Sequence, residues 1–214
     1  MKINLIDKDL WQFSHYVKPI DLAFHQYLLL AADPLLVHTG NMDQAKVLLP
    51  ELEKLLEGRP LAHIFISHFE ADECGGLPWI LQAYPEAEVI TSEVTIRQLQ
   101  GFGIPARTLA GKPGESLEKE GWELEFVSYP SEMHLWEGIL ALEKKRGIFF
   151  SANLMMSFGE SAGRLVPRVW QEEIEGIRHD QVPDPDKRLL LMENLGKLEP
   201  RLVAPGHGPC LQLA

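Results

Sequence analysis

Leu61-Ala62-His63-Ile64-Phe65-Ile66-Ser67 runs directly into His68-Phe69-Glu70-Ala71-Asp72-Glu73-Cys74-Gly75-Gly76. The first seven residues read as a buried strand, and the residues from His68 to Glu73 carry four groups able to ligate a metal. Along extended backbone, side chains at i, i+2 and i+4 point to one side. His68, Glu70 and Asp72 are therefore expected to converge, with Glu73 turned beside them. Crowding three carboxylates is costly through mutual repulsion and desolvation unless something cationic sits among them. A divalent cation, or a pair, relieves that cost. A competing reading makes Asp72 or Glu73 the cap of a helix begun by Leu77-Pro78-Trp79-Ile80-Leu81-Gln82, where acids suit the N-terminus. It accounts for one acid and leaves His68 and Glu70 unexplained.

Outward from this stretch, apolar patterning predicts strands at 22–30 and 35–37, separated by the turn Ala32-Asp33-Pro34. Helical spacing covers 42–56, with Val47, Leu48, Leu52, Leu55 and Leu56 on one face and Gly58 as the stop. After the acidic loop comes a helix ending near Tyr84, a strand at 87–91 and a short helix capped by Ser92. A turn at Gly111-Lys112-Pro113-Gly114 leads to strands at 122–129, 139–142 and 148–150. Helices at about 169–178 and 186–198 precede a last strand at 202–204. Strands and helices mix in both halves and no linker interrupts them. The expectation is one α/β domain over residues 1–214 with layered sheets.

Composition narrows the partners. At 214 residues and 45% hydrophobic, the chain is long enough for a substantial core. A formal charge of −11 disfavours nucleic acid, which calls for clustered Lys and Arg. No apolar run reaches the length of a membrane span, and no secretory h-region precedes Asp7. Cys74 and Cys210 form no CxxC pair, which fits a reducing cytoplasm. Both read as small buried hydrophobes rather than ligands.

Three further segments end a predicted strand in a polar group. His134 follows the Pro130-Ser131 loop, Asn153 tops the strand Ile148-Phe149-Phe150-Ser151, and His207 lies between Gly206 and Gly208. Singly, each is weak, since loop histidines are usually surface or capping residues. With the acidic loop they make a spaced set. His38 reads equally as a group orienting a ligand or as a structural histidine. His25 and His63 read as structural, and His15 and His179 lack context. Trp136 and the Met155-Met156-Ser157-Phe158 stretch read as apolar packing.

These residues resemble the metallo-β-lactamase superfamily. Its signature is His-x-His-x-Asp-His after a strand, followed by a His, a bridging Asp and a final His at successive strand ends. Glu70 in place of the second His resembles the flavodiiron branch, in a form without the flavodoxin module. The resemblance implies a four-layer αββα sandwich. It also implies one metal on His68, Glu70 and His134, a second on Asp72, Glu73 and His207, and a bridging group at Asn153. Two positions depart from the pattern. Glu73 stands where His is usual, and Asn153 where Asp is usual; a neutral amide does not bridge two cations as a carboxylate does.

Two histidines and one carboxylate are the usual complement of non-haem iron with open positions. The expected cofactor is iron, one ion or two, with zinc or manganese as alternatives and no flavin in this chain. The expected function is binding or reduction of O2, peroxide or NO with electrons from an external reductase, or sensing of oxygen or redox state. The alternatives are a zinc-dependent hydrolase and a degenerate, non-catalytic metal-binding domain. A homodimer is compatible with all three.

Overall fold

The computed structural model describes residues 1–130 and 138–213. Strands β1 (Lys2–Asp7), β2 (Leu10–Val17), β3 (Leu22–Leu29), β4 (Leu35–Val37), β5 (His63–Phe65), β6 (Glu88–Thr91) and β7 (Arg107–Ala110) pair in sequence order to form one seven-stranded sheet. Strands β8 (Ser116–Lys119), β9 (Trp122–Tyr129), β10 (Gly138–Glu143), β11 (Ile148–Ala152), β12 (Leu165–Arg168), β13 (Leu202–Pro205) and β14 (Cys210–Leu213) form the second, in the order β12-β14-β13-β11-β10-β9-β8.

The pleat sends alternate side chains to opposite faces, and that alternation builds the layers. Tyr27 and Leu29, Leu35 and Val37, and Phe65 point inward to meet Trp122, Phe126, Ile148 and Phe150 of the other sheet. Their neighbours Leu28, Leu36 and Ile64 point the other way. They pack on Ala45, Leu48, Leu52 and Leu56 of α1 (Met42–Leu56), with α3 (Leu77–Ala83) and α4 (Glu93–Gly101) alongside. On the second sheet, Leu140, Phe149 and Val203 face outward onto Ile174 of α5 (Trp170–Glu175) and Leu191 and Leu195 of α6 (Pro185–Leu195). Helices, two sheets and helices thus stack in the expected αββα order. Among the described residues no helix is long and apolar enough to cross a membrane.

Helix α1 keeps its expected bounds because both ends are specified locally. The Asn41 side chain accepts from the Gln44 amide while Gln44 returns a bond to the Asn41 amide, a complete capping box. One side chain differs: Val47 is exposed, and Gln44 and Ala45 take the inner face with the leucines. The strand expected at 61–67 pairs regularly only at His63–Phe65. The predicted pattern omits β1, β2, β7, β8, β12 and β14. In β2 the side chains facing the second sheet include Gln12 and Ser14, both buried, so the strand lacks the apolar alternation that marks its neighbours.

Topology gathers the strand ends that matter. β4 and β5 run parallel, as do β11 and β13, so their C-terminal ends lie along one edge of the sandwich. Two backbone bonds tie the sheets together there: the His25 amide donates to Gly206 and the Ile139 amide to Ser67, at 2.8 and 2.9 Å.

Candidate metal centre

Beyond β5 the chain remains non-helical through Glu70, whose φ of −131° and ψ of 161° are extended. Helix α2 (Ala71–Cys74) then begins, so Asp72 stands on a helical turn rather than two residues further along an extended chain. The three-residue alternation expected for His68, Glu70 and Asp72 fails at its third member. The turn sends the two acids to different imidazoles. Glu70 Oε2 lies 3.2 Å from His68 Nε2, and Asp72 Oδ2 lies 3.4 Å from His207 Nε2. The capping alternative also fails, because the cap position of α3 is Gly76 and no side chain bonds there.

Glu73 is buried between the two pairs. One donor atom each from His68, Glu70 and Glu73 fall within 4.8 Å of one another, and so do those of Asp72, Glu73 and His207. The expected division placed Glu73 with the second set alone and Asn153 between the sets. In the structure Glu73 belongs to both, whereas Asn153 stands beside the first. Its Nδ2 is 3.4 Å from Glu70 Oε2 and from His68 Nε2. His134 lies outside the described residues.

The loop is held by close backbone approach. The Gly76 amide donates to Gly40 O at 2.7 Å, and a Cβ on Gly76 would stand 2.4 Å from that of Ala45. Thr39 binds Glu73 O through both its amide and its hydroxyl, at 2.8 and 3.2 Å. Three residues at this edge adopt positive φ despite carrying a side chain: His38 at 62°, Ala152 at 48° and Met155 at 60°. Such conformations are sparsely populated and persist where surrounding structure dictates them.

Each carboxylate responds to its surroundings. At Asp72, burial raises the pKa, but the hydrogen bonds from His207 and Glu73 outweigh it and hold the group at about 2. The His68 hydrogen bond holds Glu70 below its usual range, against partial burial. Glu73 goes the other way: burial first, then the Asp72 carboxylate, push it well above the ordinary range. Without a cation, its ionised form is therefore disfavoured.

A cation would suit this donor set. His207 Nδ1 lies 2.9 Å from Ala23 O, and a carbonyl can only accept, so Nδ1 carries the hydrogen. In the neutral ring Nε2 is then bare, and a bare nitrogen 3.4 Å from a carboxylate is repelled by it unless a proton or a metal ion lies between. Among the described residues, Glu73 Oε2 and Asn153 Oδ1 are also buried with no hydrogen-bond partner. Such orphaned acceptors fit ligand positions.

The remaining candidates settle into supporting places. His25 Nε2 bonds Gly208 O at 2.9 Å and approaches Ser161 Oγ at 3.0 Å, pinning the Gly-His-Gly loop; burial brings its pKa down to about 4. His63 is buried with its ring edge-on to Trp122. Cys74 and Cys210 are buried, and burial pushes both thiols up to about 12. Phe158 does not form the expected apolar wall, being 70% exposed. Two neighbours were not foreseen: Ser67, whose hydroxyl touches His68, and Tyr129, whose ring stands edge-on to it at 5.4 Å. A serine before a histidine and a tyrosine ending a strand carry no signal that distinguishes them in sequence.

A family model described as ODP family beta lactamase matches residues 22–208, spanning both sheets and every described member of the cluster. The chain belongs to that family. Among curated proteins it is 28% identical over 202 residues to a putative diflavin flavoprotein A 2 from Nostoc sp., covering 88% of this chain and 33% of the relative. The chain thus spans about a third of the length of the diflavin flavoproteins it matches. Among solved structures, a rubredoxin oxygen:oxidoreductase from Desulfovibrio gigas superposes with a TM-score of 0.82 at 17% identity, covering 99% of this chain and 57% of that one. The flavodiiron protein from Giardia intestinalis gives 0.80 at 12% identity, covering 99% and 56%. At these identities the superpositions establish the ODP family member's fold, the metallo-β-lactamase-like sandwich.

Proposed function

We propose that His68, Glu70, Asp72, Glu73 and His207 hold one or two metal ions, iron before zinc or manganese, with His134 as a further ligand. Asn153 stands beside the first position, and Glu73 is the carboxylate shared by both. The observation that carries this reading is the pairing of His207 Nε2 with Asp72 beside a buried Glu73 oxygen that has no hydrogen-bond partner among the described residues.

The metal would supply open coordination positions and electrons to O2, peroxide or NO, with a separate reductase as electron source or, without one, a sensory role. This is in keeping with the oxygen:oxidoreductase and flavodiiron names of the structural relatives. The chain's own residues orient and insulate. Ala23 O fixes the His207 ring, Thr39 fixes the Glu73 backbone, and Tyr129 and Phe24 lie edge-on to the two imidazoles. Burial and the Asp72 carboxylate raise the Glu73 pKa, so its proton would compete with a bound cation.

Elemental analysis of protein expressed in iron-supplemented medium tests the reading. Iron above half occupancy is expected. Zinc alone would move the assignment to a hydrolase, in which the metal would activate water. No retained metal would leave a degenerate binding domain.

A further inference from the structure

Strand β3 of the first sheet reaches across to the loop of the second sheet that carries His207. Ala23, His25 and Tyr27 alternate along β3, so their side chains share its inner face. The Tyr27 hydroxyl donates to Pro205 O at 2.7 Å. The His25 amide donates to Gly206 O at 2.8 Å, and the His25 Nε2 bonds Gly208 O at 2.9 Å. His207, between those two glycines, has its Nδ1 2.9 Å from Ala23 O. Each residue from Pro205 to His207, and Gly208 beyond, is therefore hydrogen-bonded to β3. The far side of the loop has no slack either. Gly208 has a φ of 93°, and a Cβ there would stand 2.6 Å from Ser157 Oγ. Ser161 Oγ, 3.0 Å from His25 Nε2, ties the segment that follows Ser157 to the same ring.

Apolar packing between the two sheets is non-directional, whereas hydrogen bonds are specific in distance and angle. Strands β3, β4 and β5 pair side by side in the first sheet, and β5 leads into His68, Glu70, Asp72 and Glu73. We infer that His25 and Tyr27 are positioning residues that fix His207 to the sheet carrying Asp72, and so set the spacing of the second ligand set, Asp72, Glu73 and His207. The first set, His68, Glu70 and Glu73, comes from one stretch of the first sheet and does not depend on this brace. The consequence for metal rests on the proposed reading of these residues as ligands; the brace itself is a property of the metal-free chain.

Amide hydrogen exchange on chelator-treated protein tests the brace without metal. The Gly206 amide, which donates to Ala152 O, and the Cys210 amide, which donates to Arg164 O, report on the two ends of the loop. In His25→Leu both should exchange faster while the amides of β4 keep their parental rates, the sign of local opening. His25→Gln returns a side-chain donor toward Gly208 O and should restore protection. Tyr27→Phe, which removes one hydroxyl and little volume, should speed the Gly206 amide and decides the matter if His25→Leu does not fold. Zn2+ titration then reads the two sets separately. In a Glu70→Gln background, which weakens the first set, adding His25→Leu should lower affinity about 10–100-fold. In an Asp72→Asn background, which weakens the second, the same change should leave affinity within about twofold. Loop exchange unchanged in both His25→Leu and Tyr27→Phe, or raised equally throughout β4, overturns the inference. So does an equal loss of Zn2+ affinity in the two backgrounds, which marks a merely structural residue, or no loss in either. If Glu70→Gln alone binds no Zn2+, the reading of the second set falls, and the exchange rates still decide the brace.

Discussion

Asn153→Asp probes the cluster at its most telling departure from the family pattern. The substitution nearly conserves volume, and it converts a donor 3.4 Å from Glu70 Oε2 into a second carboxylate at that distance. Two unit charges so spaced repel by about 1 kcal/mol in a water-like medium and about 5 kcal/mol at an effective dielectric near 20. The Glu70 side chain is 38% exposed, so solvent screening favours the lower part of that range. About 2 kcal/mol is the working figure. At neutral pH the metal-free variant should be less stable by that amount, a drop of about 4–8 °C in melting temperature for a chain of this size. The loss should fade on acidification as one carboxyl takes a proton. With metal the sign reverses: a fixed carboxylate beside Glu70 and His68 adds an anionic ligand, and a second ion should bind more tightly. Calorimetric melting of chelator-treated protein, run beside metal stoichiometry by plasma emission, reads both effects. Unchanged melting together with unchanged stoichiometry would mean that Asn153 does not face the cluster, and the assignment of that position would fall.

Two further expectations concern the other acids in metal-free protein, and their signs oppose. Asp72 is held at about 2 against an ordinary 3.8, so it contributes stability that is present above 3.8 and lost as pH falls through about 2. Asp72→Asn should abolish that acid-side decline in urea titrations; a parallel decline in both proteins would refute the His207 pairing. Glu73 is displaced upward, so its ionised form is penalised and stability should fall as pH rises above the ordinary 4.5. Glu73→Gln should remove that fall while weakening metal binding, and a variant that retains the alkaline decline would show that Glu73 is not its source.

What could be read in advance followed how locally each element is specified. Helix α1 was legible to the residue because Asn41, Gln44 and the leucine spacing all act within one chain segment. The central strands were legible because their inward and outward side chains are both apolar. The hairpin β1–β2 was not, since Gln12 on its inner face is satisfied by Gly163 and Tyr27, partners far away in sequence. The acidic loop gave the ligand-type residues and not their arrangement. Four residues of helix redirect Asp72 from His68 to His207, and His38 reaches Ser67 from a left-handed backbone at a residue where sequence offers no glycine to announce it.

By itself the sequence determined the layered α/β architecture, the residue types at four strand ends and the excess of acid around two imidazoles. Those properties depend on side-chain chemistry and short-range periodicity, which the chain carries wherever it folds. The tertiary structure alone decided that Glu73 lies within reach of both sets, that Asn153 stands beside Glu70, and that His207 Nδ1 carries a hydrogen toward Ala23 O. These are questions of distance and hydrogen-bond direction among residues brought together from Ala23 to His207. Only the parallel pairing of β4 with β5 and of β11 with β13 sets those distances.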